Sequence, residues 1–343
     1  MEIEEAKYSN IDEVLDVLSN RTILITGSTG LIGSNIIKFL FSYNKIKDRQ
    51  FKVYALARSE SKAKHIFGDL YNNSNLKILI GNVEKFPEIE SNIDYIIHGA
   101  NPTSSKYFIE NPVEVHQTAI YGTDKILEFA KEKRVRGVVF LSTMEVYGTP
   151  NRGYTVCEQD SGSFDTSVIR NCYPLSKQIC ENLCCAYYKE YGVPVKIARL
   201  TQTFGEGVEY NDGRVFAEFA RCAIEQHNII LKTKGETERC YLYTKDAVTA
   251  ILTILVKGED GQAYTVANED TYCSIYDMAK LVADNYGISV EIHEEDVQKQ
   301  GYANTLYMKL DTSKIKKLGW KPEVDLIGMY SRMIASMKCN TLI

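Results

Sequence analysis

The sequence predicts an α/β protein: a doubly wound parallel sheet with helices on both faces and a smaller C-terminal lobe. Three observations predict it. Apolar runs of strand length alternate with longer helical patterns between residues 22 and 200. Strands of a parallel sheet are buried on both faces, so they read as continuous apolar runs, and each parallel connection needs a crossover helix. Three glycines follow the first such strand, two before the first such helix and one in its opening turn. After residue 200 the spacing turns irregular, with glycine turns, short strands and helices such as 275–286.

Taken in order, Ile11, Val14, Leu15 and Leu18 recur at helical spacing. Residues 9–19 are therefore expected to form an amphipathic helix, within an N-terminal extension covering 1–20. Residues 22–26 form the first strand and 31–41 the first sheet-covering helix. Strands follow at 52–57, 76–80 and 94–98, then a long helix at 113–133 and a buried-type strand at 137–142. Residues 173–191 are helical and 195–200 are the next strand. No repeat, low-complexity tract or linker separates residues 21–200 from 201–343, so the two lobes are expected to interleave.

Composition narrows the function classes. The 343 residues are 44% hydrophobic and 25% charged, as in an ordinary globular chain with room for two lobes. The net charge of -5 is spread without a basic block, which argues against nucleic acid as a partner. The first twenty residues carry Glu2, Glu4, Glu5, Asp12, Glu13 and Asp16 and no apolar run, unlike a signal peptide. No segment approaches the roughly 18 apolar residues of a membrane span, so no membrane partner is expected. The nine scattered cysteines suit a reduced, cytoplasmic thiol set. Cys180 and Cys184 share a helix face but lack a second Cys/His pair at ligand spacing, so no metal is expected.

The glycine segment reads Thr22-Ile-Leu-Ile-Thr-Gly27-Ser-Thr29-Gly30-Leu31-Ile32-Gly33. Gly27 permits a tight turn, Gly30 lets backbone approach a pyrophosphate, and Gly33 lets helix and strand pack closely. The N-terminus of the helix then faces the negative charge. An ordinary strand–helix turn is the competing reading, but strand and helix flank the loop on the correct sides. A Rossmann-type dinucleotide-binding domain over 21–200 follows, with NAD or NADP as cofactor. At the end of the second strand stands Arg58, where a carboxylate for the ribose hydroxyls of NAD is usual. An Arg there suits the 2′-phosphate of NADP, or tolerance of both cofactors; stacking on adenine without discrimination is the alternative.

Tyr173 and Lys177 are four residues apart and leave one helix face together. A free phenol titrates near pH ~10, too high for a base at neutrality, and a neighbouring ammonium is expected to lower that value. The pairing is weak evidence by itself, since amphipathic helices produce it by chance. Thr143, in Phe140-Leu-Ser-Thr-Met-Glu145 after a buried strand, offers a third hydroxyl.

Together these motifs resemble the extended, sugar-nucleotide branch of the short-chain dehydrogenase/reductase superfamily. His98-Gly-Ala100, Gly122-Thr123, Arg199-Leu-Thr-Gln202-Thr-Phe-Gly205 and the Arg239 segment extend the likeness over most of residues 21–270. The resemblance implies a set of roles. Thr143 would hydrogen-bond the reacting hydroxyl, Tyr173 would take its proton, and Lys177 would hold the nicotinamide ribose and tune Tyr173. His98, Ala100, Asn82 and Val83 would border the cofactor, Asn82 standing where an Asp that contacts adenine is usual. Gln202, Arg214 and Arg239 would face the diphosphate of a nucleoside-diphosphate sugar, Arg by bidentate bonds, with Met144 also lining the substrate. A solvated surface side chain is the alternative for each Arg. Residues 201–343 would be mainly the sugar-nucleotide lobe. A homodimer through helices 113–133 and 174–191 is implied, as is a place in surface-polysaccharide precursor synthesis.

The reaction stays open at this stage. Sugar-nucleotide 4,6-dehydratases carry Thr-Asp-Glu where this chain has Thr143-Met144-Glu145, and a thioether cannot donate a proton to a leaving hydroxyl. UDP-glucuronate decarboxylases carry Thr-Ser-Glu there and resemble the chain in Arg170-x-Cys-Tyr173 and Asn211-Asp-Gly-Arg-Val215. Glu145 is either catalytic or a structural carboxylate. Three readings follow: transient oxidation at C4 with return of the hydride, ending in decarboxylation, epimerisation or a dehydratase-like step; net reduction of a nucleotide-linked keto-sugar or open-chain ketose by NADPH; and a non-catalytic nucleotide-binding regulator.

Overall fold

A computed structural model of the chain describes residues 11–47, 49–294 and 305–341. The first ten residues, including the expected helix start, lie outside the described residues. Helix α1 (Ile11–Leu18) buries Ile11, Val14, Leu15 and Leu18, the four apolar positions of its pattern. It is pinned by the buried Arg49, whose guanidinium meets Asp16 at 2.7 Å and Asp12 at 3.0 Å. Among the described residues no helix is long and apolar enough to cross a membrane.

The main sheet has seven parallel strands: β1 (Thr22–Thr26), β2 (Lys52–Ala57), β3 (Leu76–Ile80), β4 (Tyr95–His98), β5 (Gly137–Thr143), β7 (Val195–Leu200) and β11 (Ala263–Val266). Their spatial order is β11-β7-β5-β4-β1-β2-β3. From β1 the chain first winds outward through β2 and β3, then returns to the other side at β4. The β1/β4 boundary is thus a topological switch point, where open α/β sheets leave a crevice at the strands' C-terminal ends. Helices α2 (Leu31–Lys47) and α8 (Thr244–Lys257) cover one face with α1. Helix α2 runs on to Lys47, past the expected end at residue 41. Helices α5 (Pro112–Lys133) and α6 (Cys172–Tyr191) cover the other. Between them come the short helices α3 (Glu60–Phe67) and α4 (Ser105–Glu110).

Beyond residue 200 the chain contributes to both layers. Helix α8 and strand β11 pack into the main sheet, while a second sheet runs β12-β10-β14-β6 with β8 beside β10. These strands are β6 (Thr155–Val156), β8 (Gln202–Phe204), β10 (Glu238–Tyr243), β12 (Asn268–Ser274) and β14 (Tyr307–Leu310). Helices α7 (Val215–Glu225), α9 (Ile275–Tyr286) and α11 (Leu326–Thr341) enclose a second core around Phe204, Phe216, Tyr241 and Tyr330, with α10 (Ser313–Lys316) before α11. A small parallel pair, β9 (Ile229–Leu231) and β13 (Val290–Ile292), lies beside α9.

One buried ion pair ties β5, α6 and β7 together below the crevice. Arg199 Nη2 meets Glu181 Oε2 at 2.7 Å, and Arg199 Nη1 donates to the Glu158 carbonyl at 3.0 Å. Ser142 Oγ donates to the same Glu181 carboxylate at 2.5 Å. Removing one partner strands a desolvated charge, so Glu181→Leu should cost about 3 kcal/mol in chemical denaturation. The double variant Glu181→Leu with Arg199→Met should recover part of that loss; an undiminished midpoint in the single variant refutes the assignment.

Candidate active site

The glycine turn leaves β1 at the switch point. Gly27 has φ +68°, and a Cβ there would stand 2.6 Å from the Gly99 carbonyl oxygen. The turn closes with Gly30 N–H donating to the Gly27 carbonyl at 3.0 Å. A Cβ on Gly33 would run into the same Gly27 carbonyl and stand 2.9 Å from Ser28 Cα. Gly30 is different: it is exposed, and an added Cβ meets only the Gly27 carbonyl, at 3.3 Å. Thr29 is half-buried on the turn, and Leu31 and Ile32 begin α2 partly buried against the two cores.

The rest of the crevice floor is set from β2, β3 and β4. Arg58 is exposed just past β2. Asn82 caps its own turn by accepting from Lys85 N–H at 2.6 Å, and Val83 is buried against Gly122. The His98 ring is buried. Its Nδ1 lies 2.7 Å from Thr26 Oγ1 and its Nε2 lies 3.2 Å from Thr123 Oγ1. Both ring nitrogens are engaged, so His98 is a strut between β1, β4 and α5, and only backbone from Gly99 to Ala100 reaches the turn. Asn101, just beyond, keeps a carboxamide with neither polar atom hydrogen-bonded. The local sequence gave no signal for it.

Burial pulls the His98 imidazole down to about 3, with the Lys177 charge adding to the effect. The ring is therefore neutral in the fold, while an unfolded chain protonates near pH ~6.5. Between those values the unfolded state binds the extra proton, so stability falls as pH drops through that window. The slope from this one group approaches about 1.4 kcal/mol per pH unit. His98→Asn should flatten the acid limb of a pH–stability curve measured by urea titration, and an unchanged limb would contradict the buried neutral ring.

Thr143 ends β5, Glu145 follows on a 3-10 turn (Met144–Tyr147), and α6 carries Tyr173 and Lys177 alongside. The structure brings these four to one place. The Thr143 hydroxyl accepts from Glu145 N–H at 3.2 Å, and its proximity favours the ionised form of Tyr173. Lys177, 4% exposed, donates from Nζ to the Leu141 carbonyl at 2.7 Å. Burial lowers its ammonium to about 8.

In the chain alone, Lys177 is not among the groups that shift the Tyr173 phenol. Burial, and then the Glu145 charge, raise the phenol above its ordinary value; Thr143 and Arg170 oppose this but do not reverse it. Lys177 Nζ sits 5.9 Å from the Tyr173 ring centre and is committed to a backbone carbonyl, so desolvation wins. Glu145 forms an ion pair with Arg170 at 3.0 Å.

Other residues separate into those that join this cluster and those that do not. Met144 is buried, and its sulfur accepts from Thr201 Oγ1 at 3.2 Å. Its side chain therefore packs between the lobes instead of lining an open substrate cavity. Gln202, half-buried on β8, pairs in register with Tyr241 of β10, two residues from Arg239. Those two thus share neighbouring strands, and Arg239 Nε is buried without a partner. Arg214 is instead held by Asp212, with Nη2 to Oδ2 at 2.6 Å, and lies over Phe216. Cys180 and Cys184 are buried and unbonded to each other, Cys180 donating to the Ala119 carbonyl. Sequence reasoning missed Phe108, which stacks on Tyr173 from α4; no local pattern announces a contact across that separation.

Residues 23–268 match the NAD dependent epimerase/dehydratase family. The chain belongs to that family. This makes it an enzyme of the extended short-chain dehydrogenase type. It is 28% identical over 313 residues to UDP-glucuronic acid decarboxylase 5 of Arabidopsis thaliana, covering 90% of this chain and 86% of that protein. In fold it is similar to an epimerase from Methanothermobacter thermautotrophicus, with TM-score 0.81, 19% identity and coverage of 98% and 97% of the two chains. It is likewise similar to dTDP-glucose 4,6-dehydratase from Bacillus anthracis in complex with NAD, with TM-score 0.78, 18% identity and coverage of 94% and 98%. The seven-stranded parallel sheet and its flanking helices are the shared architecture.

Proposed function

We propose that this family member is an NAD- or NADP-dependent enzyme that oxidises the C4 carbinol of a nucleoside-diphosphate sugar and returns the hydride before release. The observation that carries this reading is the convergence of Thr143, Tyr173 and Lys177 at the C-terminal end of β5, with a glycine turn two strands away whose Gly27 and Gly33 leave no room for a Cβ. The crevice fits a dinucleotide: Gly27 and Gly33 cannot hold a Cβ, and the turn opens onto the N-terminus of α2. Gly27, Thr29, Gly30, Leu31, Ile32 and Gly33 would hold its pyrophosphate, with Arg58 and Asn82 toward the adenosine and Ala100 and Lys177 toward the nicotinamide. When bound, an oxidised nicotinamide would supply a hydride acceptor and a positive charge to the site.

The chain's own groups then divide the work. Thr143 holds the C4 oxygen, and Tyr173, once ionised to the phenolate with its proton lost to solvent, accepts the C4 hydroxyl proton and later gives it back. Lys177, buried and lowered to about 8, fixes the ribose side of the site. Glu145 is the candidate for a proton at C5, and Gln202, Arg239 and Arg214 are the candidates for the diphosphate. The relatives named as UDP-glucuronic acid decarboxylases support a sugar nucleotide as substrate. Products from UDP-, dTDP-, GDP- and CDP-sugars, identified by mass spectrometry with and without NADPH, test the reading. Stoichiometric consumption of NADPH would replace it with net reduction of a keto-sugar, the second reading that Met144 and exposed Arg58 favour.

A homodimer through α5 and α6 belongs to the same proposal. It is supported by exposed Val113, Tyr121, Ile179, Tyr188 and Tyr191 on those two helices. Light scattering at twice the chain mass is the expected result. Nine unpaired cysteines support a reducing, cytoplasmic setting, and supply of precursors for surface polysaccharide is the proposed context.

A further inference from the structure

The short 3-10 turn at Ile169–Asn171 sets Arg170 beside the site, outside the proton-transfer set. Its Nη2 donates to both oxygens of Glu145, at 3.0 Å and 3.4 Å. Its guanidinium lies over the Phe108 ring, 4.8 Å from the centre. Phe108 is buried and stacks in turn on the Tyr173 ring, with centres 4.4 Å apart and planes 10° apart. Phe108 thus contacts both the guanidinium and the stacked phenol, and the same guanidinium holds the carboxylate. Arg suits this place because a planar guanidinium can stack on a ring face while its edge donates hydrogen bonds. Arg170 and Glu145 are each about one-third exposed, at 31% and 33%, so the pair sits at the lip of the site rather than in the core.

From this geometry we infer that Arg170 is a positioning residue for Tyr173: it restrains the Glu145 carboxylate and presses Phe108 onto the phenol ring. The inference rests on Tyr173 being the acid/base of the proposed function. Few charged or titratable groups face the phenol. Glu145 comes from the turn after β5, Arg170 from the 3-10 turn, and Cys172 and Lys177 from α6. Helix α4 adds Tyr107, which is bonded to Glu114 of α5, and His116 of α5 is bonded to Ser176. Among the described residues, Glu145 and Arg170 act on Tyr173 as charges, in opposite directions. Without Arg170 the carboxylate acts unopposed, phenolate is harder to form, and the base becomes available only at higher pH.

Two measurements on the full chain test this. In the first, tyrosine rings are labelled with carbon-13 and Tyr173 is assigned by its absence in Tyr173→Phe. Arg170→Ala should displace the Tyr173 ring signals as Phe108→Leu does, through loss of the stacked ring. Arg170→Lys keeps the charge but not the flat face, and should recover only part. Tyr173 signals that stay in place in Arg170→Ala overturn the inference.

The second follows turnover against pH with NAD and UDP-glucuronate, or whichever UDP-, dTDP-, GDP- or CDP-sugar is converted. Arg170→Ala should lower kcat about 10- to 100-fold near neutrality, with KM within about threefold, as a misplaced catalytic group does. The rising pH limb of cofactor reduction at 340 nm in a single turnover, a step that needs no proton transfer at C5, should move upward, and adding Glu145→Gln should bring it back down. A limb unmoved by Arg170→Ala, or unaffected by the second change, overturns the electrostatic half. Normal turnover by Tyr173→Phe would instead defeat the acid/base reading, leaving the stack to be judged by the carbon-13 signals alone.

Discussion

Tyr173→Phe should reduce turnover about 1000-fold and leave the chain as stable as before. The substitution removes one hydroxyl and keeps the ring, so the stack on Phe108 and the burial of α6 persist. A positioned acid/base contributes about 10²- to 10⁴-fold, and a middle value corresponds to about 4 kcal/mol in the barrier. Because the hydroxyl acts on the reacting atom, kcat and kcat/KM should fall together while cofactor affinity holds. Steady-state kinetics beside a thermal melt check both halves. Retained turnover sinks the proposed mechanism, and a lowered melting point would show that the phenol also has a structural share. The direction of the pH effect is fixed as well. Burial and Glu145 raise the phenol, so the free chain holds Tyr173 protonated at neutrality. A variant that removes the negative charge, Glu145→Gln, should therefore move the rising limb of cofactor reduction at 340 nm, a step that does not need the C5 proton, to lower pH.

Much of this was readable before any coordinates. Strands β1, β2, β4, β5 and β7 are short apolar runs because both their faces are covered, and the glycine turn follows directly from the first of them. Thr143, Tyr173 and Lys177 were legible through spacing, since one strand end and one helix face fix them locally. Two classes of feature were not. Helix α8 and strand β11 lie beyond residue 200 yet join the main sheet; the destination of a segment is a tertiary fact that its own pattern does not carry. Helix α8 is apolar over most of its length because it is buried between β-sheet and α2, and β11 is a four-residue edge strand of mixed polarity. The electrostatics were not legible for a related reason. Four-residue spacing places Lys177 on the same face as Tyr173, but which acceptor its ammonium finds depends on β5, whose Leu141 carbonyl takes it. Phe108 and Arg170 meet only because α4 folds back over the start of α6, a contact no periodicity encodes.

The glycines of the turn should part company under substitution, and that difference separates what the fold needs from what a ligand needs. In Gly33→Ala the new methyl meets backbone, the Gly27 carbonyl and Ser28 Cα, which cannot swing aside as a side chain would. Strand β1 and helix α2 must move apart, so both stability and cofactor affinity should fall. Overpacking of this kind costs about 1–3 kcal/mol. Gly30→Ala is the opposite case. Its φ is not positive, its site is exposed, and the added methyl meets one carbonyl oxygen at 3.3 Å that has only to yield by a few tenths of an ångström. The unfolded chain loses freedom in the exchange, so stability should stay within about 1 kcal/mol of the parent. If Gly30 is glycine because a pyrophosphate lies against its backbone, affinity should nevertheless fall about 100-fold, equivalent to about 2.7 kcal/mol. Titration calorimetry with NAD and with NADP, set beside urea unfolding of the same samples, gives both quantities. Full affinity in Gly30→Ala would place the pyrophosphate elsewhere, whereas weak binding by a chain of unchanged stability can come only from the ligand side of the turn.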